Sequence, residues 1–289
     1  MALNIGFPRW VLDNTRLDQY YAKVGRSMPN ARTKELQLVL TEEDTYSSIL
    51  EKFSDFANWE NMDKLDRKVD RSEFKYPASF VNGGLTANMN AMHLPAANLR
   101  FPFFGLDYPK AINYAMLGST IAHEYTHTFD KHGKDYDAVG NKRNWWDPQS
   151  LANFNNLTGC LEEQFSEYPI AGTDYHVNGQ LTVSENIADG GGLKAAYRAY
   201  MTWLKANRRD KRIPRMEHLN NEQTFFVAYA QGFCSKNTLY DKIERWNWDN
   251  HTPDKYRVIG TLSNLPEFAK AFNCPAGSSM APKKRCAVW

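Results

Sequence analysis

The chain has 289 residues, 42% of them hydrophobic and 24% charged, a composition that suits a globular fold with a sizeable core and excludes a disordered or collagen-like one. Its 35 basic and 33 acidic residues leave a formal charge of +2, which gives no overall reason to expect nucleic acid or an anionic membrane as partner. No run approaches the ~20 apolar residues that cross a bilayer, and Met1-Ala2-Leu3-Asn4-Ile5-Gly6-Phe7-Pro8 lacks the basic and apolar segments of a signal peptide.

Asn14-Thr15 predicts the start of a helix carrying Leu17, Tyr20, Tyr21 and Val24, and Thr41-Glu42-Glu43-Asp44 opens a second one. Ile49, Phe53, Phe56 and Leu65 form its apolar stripe, read as core. From Glu73 to Pro95, Phe74, Tyr76, Phe80 and Val81, then Gly83-Gly84, then Met89, Met92 and Leu94 predict two short strands around a glycine break, an edge on which a peptide could dock. Pro95, Pro102 and Pro109 with Phe101, Phe103 and Phe104 make an extended aromatic loop. The apolar run Ala111 to Ala122 then predicts a helix ending near Lys131-His132, with Gly133 as its C-terminal cap.

Turn residues at Gly140-Asn141 precede Trp145-Trp146, and Asp147-Pro148 places an N-cap and a first-turn proline at the start of another helix. Ser184 to Leu204 predicts a helix on which Glu185 and Asp189, four apart, share a face. Gly190-Gly191-Gly192 within it costs about 0.8–1 kcal/mol per residue relative to alanine, a cost that close approach of another backbone would offset. Phe225, Phe226, Tyr229, Ala230 and Phe233 mark a further buried helix. Asn264 is the expected cap of a short helix at Leu265-Pro266-Glu267-Phe268, and Gly277 to Pro282 is a surface loop. No repeat or linker divides the chain, and nothing in the sequence fixes an oligomeric state.

The informative pentapeptide is His123-Glu124-Tyr125-Thr126-His127. Side chains four apart on a helix stand one above the other, so the two imidazoles can share a zinc ion, while Glu124 on their flank can take a proton from a metal-bound water. Five letters recur by chance, and two core histidines are the bland alternative. A catalytic zinc needs a third protein ligand and an open position. Glu185, 58 residues beyond His127 (185 − 127), supplies it if the two helices pack together. Asp189 and Asp130 are placed to hold the second nitrogens of the histidines.

These residues resemble the neprilysin and endothelin-converting-enzyme family of zinc metallopeptidases. The likeness rests on Val81-Asn82, Asn90 to Pro95, Pro102-Phe103-Phe104, His123 to Asp130, Glu185-Asn186-Ile187-Ala188-Asp189 and the closing Cys286-Ala287-Val288-Trp289. It implies an α+β, mainly α, thermolysin-like zincin fold with a small β-sheet, spanning residues 1–289 as one catalytic domain, without the membrane anchor and helical lid of family members. By that resemblance His123, His127 and Glu185 bind one Zn2+, Glu124 and His251 are catalytic, and Asp189 and Asp130 orient the histidines. Arg257, Asn82 and Gly83 would hold the peptide main chain, and Phe103 and Phe233 would floor the pocket for the residue after the scissile bond. Ser119, Thr120 and Gly232 stand where larger residues are usual, which predicts a wider or more polar pocket.

Cys160, Cys234, Cys274 and Cys286 admit three pairings, none at C-x-x-C spacing. The resemblance implies Cys160 with Cys286, leaving Cys234 and Cys274 without their upstream partners. The even cysteine count and the acceptor Asn156-Leu157-Thr158 point to a glycosylated, extracellular or secreted protein. Asn250-His251-Thr252 is also an acceptor sequence, but a glycan beside His251 would block a cleft, so Asn250 is expected to be unmodified. The expected activity is an endopeptidase for short peptides. The alternative is a peptide-binding or inhibitory module in which loss of the lid has left little turnover.

Overall fold

The computed structural model describes residues 1–8, 12–16 and 40–289, which form two compact units, residues 7–75 and residues 1–6 with 76–289. Leu17, Tyr20, Tyr21 and Val24, expected on a first helix, lie outside the described residues.

In the smaller unit, helix α1 covers Tyr46–Asp63. Its cap is Thr45, whose hydroxyl accepts the Ser48 N–H at 3.2 Å, rather than a residue of the Thr41 to Asp44 segment. Asp44 instead accepts the Thr41 N–H at 2.7 Å and pairs with Lys52 at 2.6 Å. The expectation that the α1 stripe is core is not met: no residue of the helix is buried, and Phe53 and Leu65 are exposed. Amphipathic spacing specifies a face and does not by itself provide a layer to cover it.

The larger unit is built on helices with one small sheet. Strands β1 (Ala2–Gly6), β2 (Gly84–Thr86) and β3 (Ala91–Pro95) lie in the order β1-β3-β2. β1 runs parallel to β3, pairing Leu3 with Met92, and β2 runs antiparallel to it, pairing Leu85 with Met92. All five residues of β3 are buried, as expected of a central strand. The predicted strand at Phe74–Val81 does not form; β2 starts at the glycine break itself, and β1 comes from the N-terminus. Gly84 lets the Tyr76 ring lie close over the strand, since a Cβ would stand 2.8 Å from its hydroxyl.

The apolar run after Pro109 is helical but not uniformly α. A turn of α-helix, α2 (Lys110–Asn113), passes into a π-helical turn (Tyr114–Gly118), then helix α3 (Ser119–Thr126) and a 3-10 turn (His127–Phe129). Two hydroxyls bond back into the π turn: Ser119 donates to the carbonyls of Ala115 and Met116, and Thr120 to that of Met116. The helix ends at Phe129, before the expected cap. Gly133 serves a different purpose, since a Cβ on it would lie 1.8 Å from the His127 carbonyl oxygen.

Helix α4 (Pro148–Ser166) starts as expected, Asp147 accepting the N–H groups of Gln149 and Ser150. Helix α5 (Gly179–Asn207) is 29 residues long and is capped by Asn178. Helices α6 (Asn221–Gln231), α7 (Leu239–Trp248), α8 (Asp254–Ser263) and α9 (Pro266–Ala271) follow. Phe233 falls just past α6. Asn264 does not cap α9; its amide reaches Gln164 and its carbonyl oxygen accepts the Cys286 N–H.

One core joins Ala111 and Ala115 to Leu193, Tyr197, Tyr200, Phe225, Phe226 and Leu262, packing α2, α5, α6 and α8 together. A second packs Phe154, Leu161 and Phe165 of α4 against Val183 and Ile187 of α5. Cys160 and Cys286 form a disulfide across this second core, and Cys234 and Cys274 are unpaired. The terminal Trp289 ring lies 6.0 Å from that of Phe129 and 6.0 Å from that of Phe154. No helix among the described residues is long and apolar enough to cross a membrane.

Candidate active site

The site sits where α3 crosses α5. Gly192 makes the crossing possible, because a Cβ on it would stand 2.6 Å from the His123 backbone nitrogen, while Gly191 faces the Thr126 side chain, whose methyl would lie 2.7 Å from a Cβ there. Gly190 faces open space, so backbone contact accounts for Gly192 alone, a side-chain contact for Gly191, and neither for Gly190.

With the helices this close, ligand-capable atoms of His123, His127 and Glu185 lie within 4.8 Å of one another. The His123 and His127 Nε2 atoms are 3.0 Å apart. Each ring is held from behind: His123 Nδ1 is 2.8 Å from Asp189 and His127 Nδ1 is 2.7 Å from Asp130. When Nδ1–H donates to a carboxylate, Nε2 presents a lone pair. Two lone pairs then face each other beside a carboxylate, an arrangement that repels itself unless a cation lies between. Glu185 points the same way, since its Oε2 is buried without a hydrogen-bond partner although it stands 3.3 Å from His123 Nε2 and 3.2 Å from His251 Nε2. The donor set, two imidazoles and a carboxylate, fits zinc.

The electrostatics agree. Burial disfavours charge on His127, yet the carboxylates of Asp130 and Glu185 beside it outweigh that and push its pKa up to about 10. His123 is raised in the same way by Asp189 and Glu185 against its burial. Burial raises Asp189, but Arg257 and His123 overcome that and bring it to about 2. The carboxylates therefore hold a strong pull on any cation placed among them.

Asp130 also shapes the chain behind His127. Its other oxygen accepts the His132 and Gly133 N–H groups at 2.7 and 2.6 Å, which folds residues 130–133 tightly against the helix end. Arg257 is 15% exposed at its side chain and grips Asp189 through Nε (2.7 Å) and Nη2 (2.6 Å). It is thus an inward-facing residue of the site, with its guanidinium 4.8 Å from the Phe233 ring centroid.

Glu124 is buried beside the imidazoles, its Cγ 3.6 Å from where a Gly83 Cβ would be. A cleft of about 520 Å³ opens over the site, lined by Asn82, Gly83, Phe103, Met116, Ser119, Thr120, Glu124, Phe233, His251 and Arg257 among others. β2 is an edge strand, and Val81 to Leu85 border this cleft. The Asn82 side chain accepts the N–H of Gly83 at 2.8 Å. The hydroxyls of Ser119 and Thr120 donate back into the π turn, and both residues line the cleft.

Three residues of the site carry no catalytic or metal-binding motif. Asn250 donates to Glu185 Oε1 at 3.0 Å. Asp249 accepts both the N–H and Nδ1 of His251 at 2.9 Å, and Arg245 pairs with Asp249 at 2.6 Å. The four-residue spacing of Arg245 and Asp249 on a helix was the available signal. Further in, Thr252 donates to Asn186, which donates to Thr182, tying the His251 loop to α5.

A helical unit with a small sheet, two histidines one turn apart along one helical segment and an acidic residue converging from a second helix, defines the zincin class of fold. A family model described as Peptidase family M13 matches residues 82–288, and the chain belongs to that family. It is 41% identical over 290 residues to Neprilysin-1 of Caenorhabditis elegans, covering 100% of this chain and 37% of that protein. It is 37% identical over 285 residues to Endothelin-converting enzyme 1 of Homo sapiens, covering 99% of this chain and 35% of that one. The chain thus spans about a third of the length of the curated relatives it matches. Among solved structures, the Mycobacterium tuberculosis zinc metalloprotease Zmp1 in complex with inhibitor matches with a TM-score of 0.78 and 29% identity, over 98% of this chain and 44% of that one. PepO from Lactobacillus rhamnosis matches with a TM-score of 0.76 and 29% identity, over 100% of this chain and 41% of that one.

Proposed function

We propose that residues 1–289 form the catalytic part of a zinc endopeptidase that cleaves short peptides. The observation that carries this reading is the convergence of His123, His127 and Glu185 on one point, with Glu124 beside it and a cleft above. These three residues would hold a single Zn2+, which when bound supplies Lewis acidity toward a peptide carbonyl and acidifies a water.

The chain's own residues do the rest. An extended peptide adds to the free edge of β2, with Asn82 and Gly83 meeting its main chain. Glu124 takes the proton of the attacking water and passes it to the leaving amine. Asp249 holds His251 by Nδ1, so that Nε2 of the protonated ring donates toward the carbonyl oxygen as charge develops there. Asp189 and Asp130 keep the ligand imidazoles in one orientation, and Arg257 both steadies Asp189 and borders the substrate path. Phe103 and Phe233 floor the pocket for the following side chain.

The disulfide supports an extracellular or secreted setting, with Asn156, exposed on α4, as a glycan acceptor. Asn250 stays unmodified in this reading, because its amide nitrogen is engaged with Glu185.

Hydrolysis of a quenched-fluorescent peptide tests the proposal. The chain cleaves it, and Glu124→Gln lowers kcat by about 10²–10⁴-fold while zinc content is retained. Zinc bound without cleavage would leave a peptide-binding module in its place.

A further inference from the structure

The connection between α5 and α6 concentrates positive charge far beyond the rest of the chain. Residues 205–215 contain Lys205, Arg208, Arg209, Lys211, Arg212 and Arg215 against one acid, Asp210, a balance of +5. Since the whole chain is +2, all other residues together sum to −3 (2 − 5). All six cations are exposed.

Little nearby neutralises them. Asp210 is turned inward: its carboxylate accepts the N–H groups of Lys110 (2.9 Å), Ala111 (2.8 Å) and Lys211 (2.8 Å) and the Tyr200 hydroxyl (3.1 Å). Glu217, the next acid, accepts the backbone N–H of Arg215 at 2.9 Å. Lys211 reaches the carbonyl of Asp107 and stands 4.0 Å from its carboxylate, and Arg212 donates to the Leu219 carbonyl. Among the described residues the side chains of Lys205, Arg208, Arg209 and Arg215 have no ion-pair partner.

Two of these arginines also occupy backbone positions that favour glycine. Arg208 has φ +63° and Arg215 φ +67°, and only two other non-glycine residues among those described, Asn90 and Asn273, have positive φ. Arg208 ends α5 at the place where glycine is the preferred residue. The loop therefore holds its charge at a conformational cost that glycine would avoid.

We propose that this loop is a docking site for a sulfated polysaccharide. Residues 205–215 include no aromatic side chain, so the loop lacks the stacking platforms that single-stranded nucleic acid uses and the aromatic anchors of a membrane-surface segment. What it offers is a row of guanidinium forks, suited to pairing with fixed anionic oxygens. The choice of polyanion rests on the extracellular setting proposed above from the Cys160–Cys286 disulfide, where such polysaccharides, rather than nucleic acids, are abundant. The loop lies at the Lys110 end of the metal-bearing helix, roughly 20 Å along it from His123 by helical rise. A bound polymer leaves the cleft open, and the proposal stands independently of the peptidase reading.

Titration of the full chain with a heparin dodecasaccharide, at 50 and 200 mM NaCl, tests this. Binding is expected, weakening about a hundredfold over that change if four cations engage. The triple variant Arg208→Gly, Arg209→Gln, Arg215→Gly is expected to bind at least tenfold more weakly with no loss of thermal stability, because both glycines relax positive-φ positions. A control with Lys283→Gln, Lys284→Gln and Arg285→Gln is expected to stay within twofold of the parent. The proposal is overturned if the triple variant binds like the parent, if the control loses as much, or if desulfated heparin binds equally. Tighter binding to phosphatidylserine vesicles or to poly(U) RNA would overturn it in favour of those partners.

Discussion

Gly192 of α5 touches the backbone of His123 on α3: a Cβ on the glycine would lie 2.6 Å from the histidine nitrogen. The distance from the Glu185 carboxylate to the imidazole pair depends on this contact, because both ligand sets ride on rigid helices. Gly192→Ala is expected to push the helices apart, lower stability by about 1–3 kcal/mol as overpacking does, and weaken zinc binding. Gly190→Ala, with open space at its Cβ, is expected to be neutral or to stabilise by about 0.5–1 kcal/mol. Thermal denaturation and bound-zinc analysis of both variants check the contrast; equal behaviour would remove the backbone-contact explanation.

Asp210 fastens the loop after α5 to the first turn of α2 through the Lys110 and Ala111 N–H groups. It acts as a helix cap delivered from a distant part of the chain, since Pro109 provides no side-chain cap. Asp210→Ala is expected to cost about 1–2 kcal/mol, read from chemical denaturation. Asp210→Asn, which keeps an acceptor, should recover part of it.

Zinc removal should destabilise the chain by mass action. At free zinc a hundredfold above Kd, binding to the native state contributes about 2.7 kcal/mol, or roughly 5–10 °C in Tm for a chain of this size. A melting scan with and without a chelator measures it. Glu185→Gln is expected to shrink the difference between the two scans, and an unchanged difference would place the metal elsewhere.

Gly232 lines the cleft beside Phe103 and Phe233, and a Cβ on it would lie 3.9 Å from the Met116 methyl. Gly232→Val is expected to narrow the cleft and shift cleavage of a randomised peptide library toward smaller side chains. Ser119→Ala is expected to leave that preference unchanged while lowering stability, because its hydroxyl serves the π turn rather than the cleft. A changed preference in Ser119→Ala would show that the hydroxyl acts on the cleft.

Much of the candidate site was legible in the chain. His123 and His127 stand one helical turn apart, and periodicity alone puts them on one face. The glycine triplet was readable as a close backbone crossing because glycine is costly in a helix unless something needs the space, and Gly192 alone of the three meets another backbone. The Asp147-Pro148 start of α4 was local chemistry and formed as expected. Other expectations failed where a local signal was answered by a remote partner. Gly133 looked like a helix cap, yet it is small because Asp130 pulls the chain back over His127. Asn264 looked like a cap as well, but Gln164 and Cys286 take its hydrogen bonds. The Phe74–Val81 strand failed because β3 takes β1 and β2 as its neighbours.

What the sequence determined alone is the set of donors: the residue types, and their spacing on each helix, follow from the period of 3.6. What only the tertiary structure decided is how those sets meet. Arg257 reads as a surface cation until the packing of α8 on α5 turns it onto Asp189, and Asn250 and Asp249 carry no catalytic or metal-binding motif until their loop closes over Glu185. Spacing along a chain limits which side chains share a face; which faces come together is set by packing between elements far apart in sequence, and no local pattern encodes it.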